Sequence, residues 1–299
     1  MIEFKPFTPG SAAEIRPLLE CQPYRSCDYS VGGLYMWREY FKLSYAVEGG
    51  MLFWVSDHFE KGMHYSVPVG KGDLDEAIRL IRADARERNI PLRFCSVPDE
   101  AVGRLSESIG RPCESIECRE WADYLYPYSN FLGYHGKKLV TQRNHCNRFQ
   151  RDYPQYEYRV LTEETLPAAK AFLLDNREHF MKDDPLAKED YARSIEALDC
   201  FEAMGYTGGL LTVDSKAIGL TFGEAIGDTL YVQAEKALTE YSGAYPMLAQ
   251  LYARQMAREG LDYINREDDS GDPGLRRSKT EYRPIKLIGK YILDFGSEE

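Results

Sequence analysis

Apolar and polar residues alternate most regularly between Gly208 and Asn265. Leu210, Leu211 and Val213 lead into the turn Asp214-Ser215-Lys216. A second apolar run covers 218–222, the chain turns again at Gly227-Asp228, and Leu230 to Val232 follows. Period-two runs separated by Gly, Asp and Ser turns predict an antiparallel meander. Beyond Ser242-Gly243, apolar residues recur at Met247, Leu248, Leu251, Tyr252, Met256 and Ala257. That is the spacing of one buried helix face, and Gly260 ends it. A short strand at 261–264 completes a unit of meander, helix and strand. Such a unit gathers a helix start and several strand ends around one cleft, a place suited to anionic ligands.

Upstream, the pattern predicts a strand at 3–7, a helix at 11–20 capped by Ser11, and strands at 43–47, 51–55 and 64–68, with Glu48-Gly49-Gly50 as a hairpin turn. A helix at 73–89, opened by an Asp73/Glu76 capping box, then precedes a strand at 92–97, a helix at 99–109 and a strand at 117–126. The second half has a strand at 156–161, helices at 163–176 and 191–204, the meander unit, a helical piece at 275–279 and a last strand at 286–295. Segments 74–105 and 245–277 share the order helix, turn, strand, acidic loop, short helix. The chain therefore reads as α/β (α+β), with units at 1–130 and 156–299 and a basic linker helix at 131–155.

Composition sharpens this picture. The chain has 299 residues, 43% of them hydrophobic and 28% charged, which suits a soluble globular protein with a substantial core. The net charge of −11 repels polyanions on average, so a phosphate-rich partner needs a local basic patch. The linker supplies one: Lys137, Lys138, Arg143, Arg148 and Arg151 are uninterrupted by acids, while Leu139, Cys146 and Phe149 fall near one helical face. An anion-binding role and a solvated docking helix both fit it. The first ten residues lack a signal-peptide pattern and no apolar stretch nears bilayer length, so a cytoplasmic protein without a transmembrane segment is expected. The seven cysteines include no CxxC pair, and His58, His64, His135, His145 and His179 are scattered. Reduced thiols and no metal site follow.

Four stretches carry a family likeness: GKKLVTQRNHCNRFQRDYPQYEYRVLTEE (136–164), Glu235-Lys236-Ala237, Tyr241-Ser242-Gly243-Ala244-Tyr245, and INREDDSGDPGLRRSKTEYRP (264–284). With them, the segment from about 132 to 291 resembles the bacterial family related to the C-terminal domain of phosphatidylglycerol lysyltransferases. Fem-type peptidoglycan aminoacyltransferases and the GNAT acyltransferases are its relatives. The resemblance implies two tandem GNAT-like mixed-sheet units with flanking helices. It also implies an acyltransferase or aminoacyltransferase whose donor is aminoacyl-tRNA, and whose acceptor is an amine or hydroxyl on a small molecule, peptide or lipid headgroup.

Acyl transfer needs a base for the acceptor, a group to meet the oxyanion and a proton for the leaving group. Glu224 and Glu235 stand at or near strand ends as candidate bases, Lys236 could steady the oxyanion, and Tyr231, Tyr241 and Tyr282 are candidate acids. Lys137, Lys138, Arg143, Arg148, Gly243, Arg276, Arg277 and Lys279 are candidates for holding the donor or its phosphates. Asn265, Asp268 and Asp269 are candidates for binding an amine. Solvated ion pairs and packing tyrosines account for the same residues. Acyl-CoA is the alternative donor, but the [Q/R]-x-x-G-x-[G/A] pyrophosphate loop of GNAT enzymes is reduced here to Glu240-Tyr241-Ser242-Gly243-Ala244-Tyr245, which keeps one glycine. Gly70-Lys71-Gly72-Asp73 is a second cradle by composition, with Asp73 as an N-cap the competing explanation. A non-catalytic binding module on the same fold is the third alternative.

Overall fold

The computed structural model describes residues 1–57, 62–181 and 183–298, so His58 lies outside the described residues. In chain order the strands are β1 (Lys5–Pro6), β2 (Leu43–Glu48), β3 (Met51–Ser56), β4 (His64–Tyr65), β5 (Val69–Gly70), β6 (Pro91–Pro98), β7 (Glu114–Glu117), β8 (Asp123–Pro127), β9 (Tyr156–Val160), β10 (Thr207–Val213), β11 (Lys216–Ile226), β12 (Thr229–Ala237), β13 (Tyr263–Asn265), β14 (Lys286–Ile288) and β15 (Lys290–Ser297). The helices are α1 (Ala12–Leu19), α2 (Val31–Trp37), α3 (Leu74–Arg88), α4 (Asp99–Ile109), α5 (Tyr128–Gly133), α6 (Val140–Asp152), α7 (Leu166–Asp175), α8 (Arg177–Phe180), α9 (Pro185–Asp199), α10 (Ala244–Gln255) and α11 (Pro273–Glu281). Among the described residues the strands form two mixed sheets, ordered β1-β2-β3-β4-β6-β15-β7, with β5 on β3, and β14-β8-β13-β12-β11-β10-β9. No described helix is long and apolar enough to cross a membrane.

Two compact units result, the first from Met1–Asp123, Glu267–Gly271 and Leu287–Glu299, the second from Tyr124–Arg266 and Asp272–Lys286. They do not follow the chain order from which boundaries at 130 and 155 were drawn. The reason lies in two expected strands that are each two strands. Residues 117–126 break at the turn Arg119–Trp121, leaving β7 in the first sheet and β8 in the second. Residues 286–295 break at Gly289, leaving β14 in the second sheet and β15 in the first. Thus β15 pairs with β6 and β8 pairs with β13, so each sheet draws an antiparallel strand from the other half of the chain.

In the first unit, α3 forms where Ala77, Ile78, Ile81 and Ala85 make one buried face, and Asn89 closes it in the left-handed region. The Asp73 carboxylate accepts from the Glu76 amide at 2.9 Å, so the N-cap reading holds. The glycines before it are explained by backbone crowding. A Cβ on Gly72 would lie 2.0 Å from the Gly49 carbonyl oxygen, and one on Gly70 2.3 Å from that of Gly50. The β2–β3 hairpin fills the space a phosphate would need. Ser11 does not cap α1; its hydroxyl accepts from the Thr8 amide at 3.1 Å instead.

β15 is locked into this unit by a buried cation. Lys290, 2% exposed, lies 2.7 Å from Asp123 and also pairs with Asp28, and its Nζ is 3.3 Å from the Cys27 sulfur. The Cys27 thiol lies 3.2 Å from Asp123 Oδ1, and the Cys27 amide donates to Oδ2 at 2.6 Å. Cys27, Asp28 and Asp123 place their ligand atoms within 4.8 Å of one another, the composition of a cation site, and the cation within it is the ammonium. Burial opposes that charge, but Asp123 and Asp28 overcome it and hold Lys290 well above the ordinary lysine range. A lysine with a raised folded pKa contributes stability that is complete below its unfolded pKa and lost only as pH rises through the folded one. At neutral pH the lock is fully formed.

Lys290→Met leaves the fully buried Asp123 without its cation. Urea denaturation should show a loss of about 3–5 kcal/mol at pH 7.5. The loss should shrink toward pH 5 as the stranded carboxyl takes up a proton.

Candidate functional site

The second unit is organised by the meander β10-β11-β12 and the parallel pair β12-β13, with α10 crossing between the paired strands. The expected meander is present, with Asp214 and Ser215 both at positive φ in the first turn and Gly227 in the second. The parallel pairing runs only from Thr229↔Tyr263 to Tyr231↔Asn265. Beyond it β12 continues through Ala237 while the other chain leaves at Arg266, so the two strands part and their side chains must fill the gap. Glu235 and Arg266 do so, their charged groups 2.5 Å apart and their side chains only 10% and 12% exposed.

Aromatic rings surround the pair. The Arg266 guanidinium lies 4.4 Å from the Tyr282 ring centre and 5.5 Å from that of Phe131, and those two rings stack at 5.4 Å. This is cation–π packing in a desolvated site. Tyr126 donates to the Lys279 carbonyl at 2.8 Å and Tyr134 to the Pro246 carbonyl at 2.9 Å, fixing both rings. Lys279, buried, donates to the Arg266 carbonyl at 2.6 Å and so holds the backbone of the arginine. Desolvation raises the Glu235 pKa above the usual carboxylate value, and Arg266 pulls it back only in part. Burial raises Tyr282 as well, so it stays a phenol at neutral pH. Arg266 Nη2 bonds Glu235, while its buried Nη1 has no hydrogen-bond partner among the described residues.

The expected catalytic group is thereby rearranged. Glu235 and Lys236 are neighbours on a strand, so the pleat sends them to opposite faces. Lys236 pairs with Asp190 on α9, away from Arg266. Glu224 is 1% exposed and lies opposite Tyr231 in the sheet register, and its charge adds to the burial that raises Tyr252. Arg266 was missed by sequence reasoning. Its signal was a basic residue directly after Asn265, the last residue of the parallel pair.

The donor candidates divide. Lys137 and Lys138 are exposed in a short 3-10 turn before α6. Arg143 turns back to donate to the carbonyls of Tyr134 at 2.7 Å and Gly136 at 3.1 Å, so it caps a loop. Arg148 and Arg151 share Asp152, and the expected buried face of Leu139, Cys146 and Phe149 is present. Arg276 and Arg277 sit on α11, Arg277 exposed, while Lys279 is spent inside the site. Asn265 is buried on β13. Asp268 and Asp269 belong to the first unit: Asp268 accepts from Ser270, and Asp269, fully buried, pairs with Arg119 at 3.2 Å. Those contacts account for both acids as loop and ion-pair residues.

Gly243 is the N-cap of α10 in the left-handed region, φ +89°. A Cβ there would lie 2.4 Å from the His145 carbonyl oxygen and 3.2 Å from Phe149 Cβ. The backbone of α6 therefore lies over the helix start, and a carbonyl oxygen faces it where a pyrophosphate oxygen would have to go. With Glu240 and Tyr245 added, the residues present do not fit coenzyme A at this helix.

Two mixed sheets, each with a parallel pair bridged by a helix, define a tandem GNAT-like protein. The match to the phosphatidylglycerol lysyltransferase C-terminal family model extends over residues 22–294, and the chain belongs to that family. A conserved protein of unknown function from Bacteroides thetaiotaomicron VPI-5482 has a similar crystal structure, with 32% identity, a TM-score of 0.92, and coverage of 98% of this chain and 99% of that one. The C-terminal domain of a putative lysylphosphatidylglycerol synthetase from Agrobacterium fabrum has a TM-score of 0.67 at 14% identity, covering 96% and 92%. FemX has a TM-score of 0.58 at 9% identity, covering 99% and 97%. The last two likenesses are of fold. A search of curated proteins finds no match.

Arg266→Met should cost about 3–5 kcal/mol in unfolding free energy, because it leaves Glu235 charged and desolvated. The double variant Arg266→Met/Glu235→Leu should recover most of it. A double-mutant cycle by chemical denaturation measures the coupling.

Proposed function

We propose that the second unit transfers an aminoacyl group, carried as an ester on transfer RNA, to an amine or hydroxyl acceptor at the Glu235–Arg266 pair. The observation that carries this reading is the desolvated acid beside a guanidinium that still has a free N–H, at the point where β12 and β13 part. Membership of a lysyltransferase family and the fold of a putative lysylphosphatidylglycerol synthetase support the reaction class. The covered start of α10 disfavours acyl-CoA as donor.

In this scheme the acceptor nitrogen or oxygen attacks the ester carbonyl and gives its proton to Glu235, whose raised pKa suits it to the task. Arg266 Nη1 donates to the oxygen that becomes negative. As the new bond closes, the ester C–O bond breaks, and the proton held by Glu235 passes to the departing ribose oxygen. Tyr282 and Phe131 keep the guanidinium in place. Lys137, Lys138 and Arg277, exposed in the same unit, are available for the phosphates of the donor.

Transfer from aminoacyl-tRNA to a panel of amine and hydroxyl acceptors tests the reading. Glu235→Gln should lower turnover by about 10²–10⁴-fold. In the wild type, kcat/KM should rise with pH through a value above that of an ordinary glutamate and then level off, because only the carboxylate accepts the proton. That limb should vanish in Glu235→Gln. Binding of aminoacyl-tRNA should weaken steeply with salt. No complex at low ionic strength would sink the transfer RNA donor.

A further inference from the structure

In the first unit, three guanidinium groups converge on one carboxylate. Arg82 and Arg86 lie one turn apart on α3, Arg111 follows α4, and Glu298 follows β15. Arg82 Nε is 3.1 Å and Arg111 Nη2 2.8 Å from Glu298 Oε1, while Arg86 Nη2 is 4.0 Å from Oε2. The Glu298 side chain is 1% exposed. Among the described residues, three cations thus meet one anion.

Arg111 also donates to the carbonyls of Ser297 at 3.1 Å and Gly296 at 3.3 Å, yet its buried Nε has no partner among the described residues. Fastening the end of β15 needs only those two carbonyl bonds, and the glutamate adds no sheet pairing. Exposure rises from 26% at Arg111 through 33% at Arg82 to 61% at Arg86, so the cluster is open to solvent on the Arg86 side.

We propose that this arginine cluster is a binding site for a phosphate dianion, either free or as a phosphomonoester end, and that Glu298 occupies it as a built-in competitor. Planar guanidinium forks match phosphate oxygens in pairs, and a dianion neutralises two of the three charges where a carboxylate neutralises one. An attached carboxylate competes at a high local concentration, so free phosphate binds weakly until Glu298 is displaced. This site is independent of the chemistry proposed for the second unit.

The test is calorimetric titration of the full chain with inorganic phosphate at pH 7.5 and constant ionic strength. Glu298→Gln should bind phosphate at least about tenfold more tightly than wild type, equivalent to about 1.4 kcal/mol. Adding Arg86→Ala to that variant should remove most of the gain. Adenosine 5′-monophosphate binding as tightly as phosphate would identify a phosphomonoester site, and phosphate alone binding would identify a free-phosphate site. Glu298→Gln binding no tighter than wild type, binding that Arg86→Ala leaves unchanged, or equal binding of unphosphorylated adenosine would overturn the proposal. Wild-type crystals soaked in phosphate give a readout that needs no variant: Glu298 should swing out and phosphate should sit between Arg82 and Arg111. Glu298 unmoved at saturating phosphate would count as failure.

Discussion

The second unit depends on how two parallel strands separate. β12 and β13 pair for three residues and then diverge, which leaves a gap that buried side chains must fill. An apolar plug would close such a gap at least cost. The protein fills it with an acid and a guanidinium, each of which loses hydration. Their mutual attraction and the faces of Tyr282 and Phe131 offset part of that loss. Buried ion pairs are weak stabilisers compared with good apolar packing.

The same economy of charge recurs in the first unit. Lys290 sits among Asp28, Asp123 and Cys27 and satisfies them all, whereas the arginines around Glu298 exceed what one carboxylate can neutralise. Among the described residues, one cluster holds a single cation between two carboxylates, and the other holds three cations around a single carboxylate and is partly open. The first explains how an inserted strand is held, and the second keeps capacity in reserve.

Local pattern made much of this fold legible. The meander, the Asp73 cap, the buried face of α6 and the helix–strand–helix order of 74–105 and 245–277 follow from spacing alone, and all are present. The exchanged strands were not legible. An apolar run broken by Cys118 to Trp121 or by Gly289 looks like one strand with a blemish, and nothing in its period tells which sheet receives either part. The Glu235–Arg266 pair was half legible. Glu235 could be found at a strand end, but its partner lies 31 residues away and becomes visible only when the parallel register is known. Lys236 adjoins Glu235 in sequence but not in space, because a pleated strand sends neighbouring side chains to opposite faces.

The strand exchange also governs how the protein comes into being. β6 leaves the ribosome long before β15, its neighbour in the sheet, has been translated, and β8 is made well ahead of β13. Neither unit can complete itself during synthesis, so the nascent chain carries an unfinished sheet edge through most of its production. A gene split at its midpoint would yield two fragments that each lack a strand, which makes this duplicated architecture indivisible although it looks modular.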